Sequence, residues 1–103
     1  MIRWSPVAPP RPSCPHRRLI RLLAAELGQG ADLGPSTLHP WASANFVGAR
    51  HLFDCTIPEG SLEALRERLA ATEWKLSGHI VADVAVEASE GQAFTIEILT
   101  VED

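Results

Sequence analysis

The stretch that decides the fold is Asn45–Cys55, NFVGARHLFDC. Carried on to Ile57, it alternates. His51, Phe53, Cys55 and Ile57 fall on one side, and Arg50, Leu52, Asp54 and Thr56 on the other. That period of two is the mark of a half-buried strand. The apolar side should pack on a helix, so Cys55 is expected in the core, where an apolar environment keeps a thiol protonated and inert. His51 is expected to be structural, at the end of that face and within reach of water or a carbonyl. Gly48 interrupts the run and reads as a bulge. A one-residue slip there would exchange the two faces.

Downstream, SLEALRERLAAT (61–72) reads as a helix. Ser61 suits the N-cap, Glu63 lies in the first turn, and Leu62, Leu65 and Leu69 form one stripe. Glu63, Arg66, Glu67 and Arg68 read as its solvated face. LSGHIVADVAVEA (76–88) reads as a strand with Ile80, Ala82, Val84 and Val86 on one side and His79, Val81, Asp83 and Glu87 on the other. SEGQ (89–92) is a hairpin connection, and AFTIEILTV (93–101) is the last strand, with Phe94, Ile96 and Ile98 inward.

Upstream, CPHRRLIRLLAAELGQG (14–30) predicts a helix over 15–27. Leu19, Leu23 and Leu27 repeat along one face, with Arg17, Arg18 and Arg21 opposite. Between that helix and residue 41, Gly30, Gly34, Pro35 and Pro40 mark a loop. Residues 1–14 hold Pro6, Pro9, Pro10 and Pro12 and read as an extended, disordered arm. The chain thus divides into an arm (1–14), an amphipathic helix with its loop (15–40) and a β-α-β-β body (41–103).

The expected class is α+β: an N-terminal helix, then a three-stranded antiparallel or mixed sheet with the last strand in the middle. This body resembles half of a ferredoxin-like sandwich. The likeness is architectural and brings no functional motif, so it implies no activity. The N-terminal helix is expected to dock its leucines on the body or in a dimer, because about 60 residues alone bury too little surface for comfortable stability.

Two sets of side chains stand out on the expected outer face of the sheet. Arg50, Asp54, His79, Asp83 and Glu97 would form a polar platform, with His79 as acid/base, Asp54 or Asp83 orienting it, and Arg50 clamping an anion. Leu52, Val81, Leu99 and Val101 would form an apolar stripe among those charges, which is the pattern of a contact surface. The stripe carries the leading reading: a small non-enzymatic assembly module, a homodimer. An acid/base or small-molecule-binding domain using the platform is the alternative.

Charge supplies a third reading. Residues 1–23 carry five arginines and no acid, whereas the rest of the chain carries four basic residues and all 13 acids. An acidic body repels phosphate, so nucleic acid is not the expected partner, and the third reading is anion or nucleic-acid binding confined to the basic arm and the helix that carries Arg17, Arg18 and Arg21. Cys14, His16, His39, His51, Cys55 and His79 show no metal-motif spacing, and nucleotide and nucleophile motifs are lacking, so neither metal nor cofactor is expected. No apolar run reaches transmembrane length and no signal-peptide pattern opens the chain, so a cytoplasmic location is expected.

Overall fold

The computed structural model describes residues 14–28, 30–57 and 61–103. Apart from Cys14, the proline-rich arm lies outside the described residues. The elements run α1 (His16–Leu27), β1 (Asp32–Ala42), β2 (Val47–Thr56), α2 (Leu62–Ala71), β3 (His79–Ala88) and β4 (Ala93–Glu102). The fold is α+β, with both helices on one face of a four-stranded antiparallel sheet in the order β1-β2-β4-β3. β4 does lie between the two strands that α2 connects. None of the described helices is long and apolar enough to cross a membrane.

The sheet has four strands and not the expected three, because the segment read as a loop is β1. Two prolines concealed it. β1 is an edge strand, paired with β2 alone, so a missing N–H that would face solvent costs no ladder bond. Most of its residues are exposed, which leaves no hydrophobic alternation to read. Its register shifts between Leu33 and Ser36, across Gly34 and Pro35. A Cβ on Gly34 would lie 2.7 Å from the Asp54 carbonyl oxygen, which explains the glycine at that irregularity.

The helices match the leucine spacing. Leu19, Leu23 and Leu27 of α1 and Leu65 and Leu69 of α2 are buried against Phe53, Cys55, Val86, Phe94, Ile96 and Ile98. Pro15 opens α1, its carbonyl accepting from Leu19 N–H at 2.8 Å, and Gly28 closes it at φ 57°. The Ser61 hydroxyl caps α2 by accepting from Ala64 N–H at 3.2 Å. Two arginines of the solvated face of α2 also fasten it in place. Arg66 donates to the Val86 carbonyl at 2.7 Å, and Arg68 to the Glu26 carbonyl at 2.6 Å.

β3 departs from simple alternation. Its register with β4 shifts between Val81 and Asp83, with Ala82 as the extra residue. Val84 and Val86 face the core as expected, but His79 and Val81 join them, opposite Glu102 and Thr100. Ile80 faces outward and is 54% exposed. Gly48, by contrast, is no bulge: it pairs in register with Trp41 on one side and Val101 on the other. Its smallness has a different cause. A Cβ there would stand 2.0 Å from the Thr100 carbonyl oxygen and 2.8 Å from the Trp41 ring. Gly48→Ala is therefore expected to cost roughly 1–3 kcal/mol, the range of core overpacking. Thermal unfolding followed by circular dichroism measures it, and an unchanged midpoint would contradict the close approach of these strands.

Candidate functional site

At one end of the core, four elements bring polar side chains to the inner face of the sheet. His16 lies in the first turn of α1, one turn before Leu19 on the same stripe. His51 lies on β2, Ser36 on β1 and Thr100 on β4. His51 and Thr100 have no exposed surface; His16 and Ser36 are half-buried. Burial on this scale demands hydrogen bonds, and each group has one. His16 Nε2 is 2.9 Å from Ser36 Oγ, His16 Nδ1 is 2.8 Å from His51 Nδ1, and His51 Nε2 is 2.9 Å from Thr100 Oγ1. The imidazole planes of His16 and His51 lie within 17° with centroids 5.1 Å apart, which suits an N–H···N bond in the plane of both rings. The other neighbour of the His16 ring is Phe53, at 5.4 Å.

Two opposite proton arrangements satisfy these three bonds, and the contact of Thr100 with the Ala49 carbonyl favours one of them. Thr100 Oγ1 donates to the Ala49 carbonyl at 3.4 Å. Its single hydrogen is then used, so it accepts from His51 Nε2–H. His51 Nδ1 is therefore bare and accepts from His16 Nδ1–H. His16 Nε2 is bare in turn and accepts from the Ser36 hydroxyl. Every bond points the same way, from Ser36 through both histidines to Thr100 and the backbone. Both imidazoles are neutral in this arrangement. Burial, reinforced by His16 and His79, pushes His51 down to about 4. Burial also lowers His16 below the usual histidine value.

Beside Thr100 the inner face opens into a cavity of about 390 Å³, lined by Cys14, Leu38, Ala49, His79, Thr100 and Glu102 among others. Its walls are mainly apolar. Among the described residues, no group of three or more His, Cys, Asp or Glu side chains is placed to hold a metal ion.

Of the expected polar platform, the structure keeps four members on the outer face and removes the histidine. Arg50, Asp54 and Asp83 do share the outer face, where Arg50 forms an ion pair with Glu97 at 2.6 Å. His79 is on the other face, 9% exposed, because of the bulge at Ala82. The histidine that does stand beside Arg50 outside is His39, its partner across β1 and β2. Of the apolar stripe, Leu52, Leu99 and Val101 are together on the outer face, and Val81 packs against the core instead. Trp41 and Ile80 fill out that face, paired with Gly48 and Val101 respectively. Arg17, Arg18 and Arg21 line a separate concavity of about 520 Å³ with Leu76 and Ser77, where Arg18 donates to the Lys75 carbonyl at 3.1 Å. Cys55 is buried, and burial pushes its thiol up to about 11, as an inert core cysteine requires.

Sequence reasoning passed over Ser36 and Thr100 and weighed His16 only as a metal ligand. The signal available was positional: His16 extends the leucine stripe by a turn, and His51 and Thr100 occupy inward strand positions. Three polar residues at the same end of three core-facing patterns mark a buried network. Comparison with known proteins adds nothing to this geometry: no family model, no curated relative and no solved structure matches the chain.

Proposed function

We propose that the chain is an assembly module that pairs with a second copy of itself through the outer face of its sheet. The observation that carries this reading is the apolar lane on that face. Trp41, Ile80, Leu99 and Val101 lie on neighbouring strands, with Leu52 beside them, and both helices pack on the opposite side. Half-exposed apolar residues contributed by all four strands of a bare sheet face favour burial against a like surface. Around the lane stand Arg50, Glu97, Asp54 and Asp83, a mixed-sign rim of the kind that fixes register without dominating affinity. A two-fold axis through the lane would make one patch serve both copies, the usual solution for a small homodimer.

The order β2, α2, β3, β4, with β4 between β2 and β3, supports a likeness to half of a ferredoxin-like sandwich, with β1 added at one edge. That architecture leaves one sheet face bare, which is what the assembly reading uses. The two cysteines are free thiols, Cys14 exposed and Cys55 buried, as suits a reducing compartment such as the cytoplasm.

Leu99 is the residue to change. It sits on the inner strand β4 between Arg50 and Asp83, near the middle of the face. Leu99→Glu puts a charge where a partner would have to desolvate it. Light scattering on a sizing column, over a range of concentrations, is expected to give a dimer for the natural chain and a monomer for the variant. A natural chain that stays monomeric, or a variant that stays dimeric, overturns the reading.

A further inference from the structure

The proposed assembly uses the outer face and leaves the Ser36–His16–His51 chain unemployed on the inner one. The geometry there points to a second activity. A hydroxyl bonded to a base, with that base held by a third group, is the constellation that activates serine, and it is recognised by roles and distances, not by fold or chain order. Here Ser36 Oγ is 2.9 Å from His16 Nε2, and His16 Nδ1 is 2.8 Å from His51 Nδ1. We propose that Ser36 is an activated nucleophile that takes acyl or phosphonyl groups from small activated esters, with His16 as its general base and His51 as the residue that positions His16.

Four features of the structure support this. First, the proton assignment gives each nitrogen the role the reaction needs. Thr100 fixes His51 with Nδ1 bare, that nitrogen fixes His16 with Nδ1 protonated, and His16 Nε2 is left to receive the Ser36 proton. Second, the register shift between Leu33 and Ser36 is what aims the serine. Strict alternation from Leu33, which pairs with Cys55, would turn Pro35 inward and Ser36 out; the extra residue brings Ser36 inward opposite Phe53 and against His16. Irregularities that re-aim a side chain in this way gather at strand edges and next to active sites. Third, Ser36 is on the edge strand and only half-buried, so a small electrophile can reach it from the side. Fourth, His16 stays neutral at neutral pH, since its own burial lowers its basicity, and a neutral imidazole is the form that accepts a proton.

The acylation step balances within these groups. The Oγ–carbonyl carbon bond forms as the Ser36 proton passes to His16 Nε2, the bond to the leaving oxygen breaks, and the leaving group takes that proton from His16. Water then attacks the acyl carbon, gives its proton to His16 and releases the acid, and Ser36 Oγ recovers the proton. The net change is ester plus water to acid plus alcohol. The third group is a neutral imidazole and not a carboxylate, so it offers no counter-charge to the imidazolium formed on His16. This limits the site to leaving groups that depart readily, such as phenolates and fluoride.

The test uses the full chain and an alkyl fluorophosphonate. Its phosphorus takes the Ser36 oxygen while fluoride leaves with the displaced proton, and the adduct does not hydrolyse. Peptide mapping by mass spectrometry is expected to find a single adduct on Ser36. It should be absent in Ser36→Ala and should form about 100-fold more slowly in His16→Ala, the low end of general-base effects. Thr100→Val, which unlocks the His51 tautomer, is expected to slow labelling several-fold and to change its pH profile. A merely structural hydrogen-bond chain would have no such profile to change. Circular dichroism on each variant keeps misfolding apart from lost reactivity. No adduct on the folded natural chain, an adduct elsewhere, or a Ser36 adduct whose rate ignores His16→Ala overturns the proposal.

Discussion

Replacing Leu23 by alanine is expected to lower the stability of the fold by roughly 2–5 kcal/mol, the range for a large buried aliphatic cut back to a methyl. Leu23 is fully buried at the centre of α1, with Leu19 and Leu27 one turn to either side, and all three belong to the one core shared by both helices and the sheet. Beyond the stripe, α1 is tied to its neighbours by hydrogen bonds, those of His16 to Ser36 and His51 at its first turn and two at the surface. Arg18 donates to the Lys75 carbonyl and Arg68 donates to the Glu26 carbonyl, both from exposed positions, where a hydrogen bond contributes about 1 kcal/mol net. The leucine stripe therefore decides whether α1 belongs to the cooperative unit. A domain of this size has a total stability of about 5–15 kcal/mol and loses about 4–8 °C of melting temperature per kcal/mol. A loss of 10 °C or more is thus the expected order of magnitude. Calorimetry gives the midpoint, and a single transition that moves as a whole is the expected form. A shift of a degree or two would mean that α1 contributes little to holding the sheet, and the core assigned to this fold would be wrong.

That core was legible in the sequence because it is periodic. Leucines spaced by four on α1, the triplet Leu62, Leu65 and Leu69 on α2, and alternation in β2 and β4 each state a face, and the faces agree. β1 was not legible. A strand announces itself through alternating burial, and an edge strand whose side chains are mostly exposed has almost none to show. Pro35 and Pro40, which normally end strands, are harmless where no second neighbour needs their N–H. The same reasoning explains the misplaced histidine. One extra residue at Ala82 inverts the faces of everything N-terminal to it in β3, and neither alanine nor its neighbours mark the spot. His79 and Val81 went inward for that reason, and Ile80 outward.

The candidate site was less legible than the core because its members come from four elements separated by up to 84 positions, from His16 to Thr100. A motif is a local pattern; this arrangement has none. The available clue was the conflict between residue type and position. A histidine on a leucine stripe, a histidine on an apolar strand face and a threonine among inward isoleucines each cost desolvation unless they meet a partner. Of the three, only His51 has an expected partner, water or a carbonyl, and the structure makes all three partners of one another. Ser36 shows the limit of such inference, since only the irregularity at Gly34 and Pro35 turns it inward.

Acidification is expected to weaken the fold through His51, and the direction follows from where its proton goes. In the folded chain His51 titrates at about 4, held down by burial and by the neighbouring His16 and His79. In the unfolded chain it titrates near the ordinary value of about 6.5. Above that value both states are neutral there, and the fold keeps its full stability. Between the two values the unfolded chain binds a proton that the fold refuses, so stability falls as pH falls and levels off below the folded value. A displacement of this size corresponds to roughly 3 kcal/mol, a large part of the stability of a small domain. His16, also lowered by burial, acts in the same direction. The groups facing His51 from the surrounding elements offer it no compensation. Thr100 is neutral, and charges on His16 and His79 oppose one on His51. The proton chain adds a structural reason: a second proton on His51 would leave two N–H groups, on His16 and His51, pointing at one another across 2.8 Å. Urea unfolding at a series of pH values between 7.5 and 4 measures the effect through the midpoint concentration. Carboxylates contribute to the same slope, so the informative quantity is the difference from His51→Phe. That variant fills a similar space, does not titrate, and leaves His16 and Thr100 short of a partner. It is expected to be less stable than the natural chain at pH 7.5 and to close most of that gap by pH 4. Two curves that run parallel over this range would show that His51 carries its proton in the fold, and the directional chain from Ser36 to Thr100 would fall with that result.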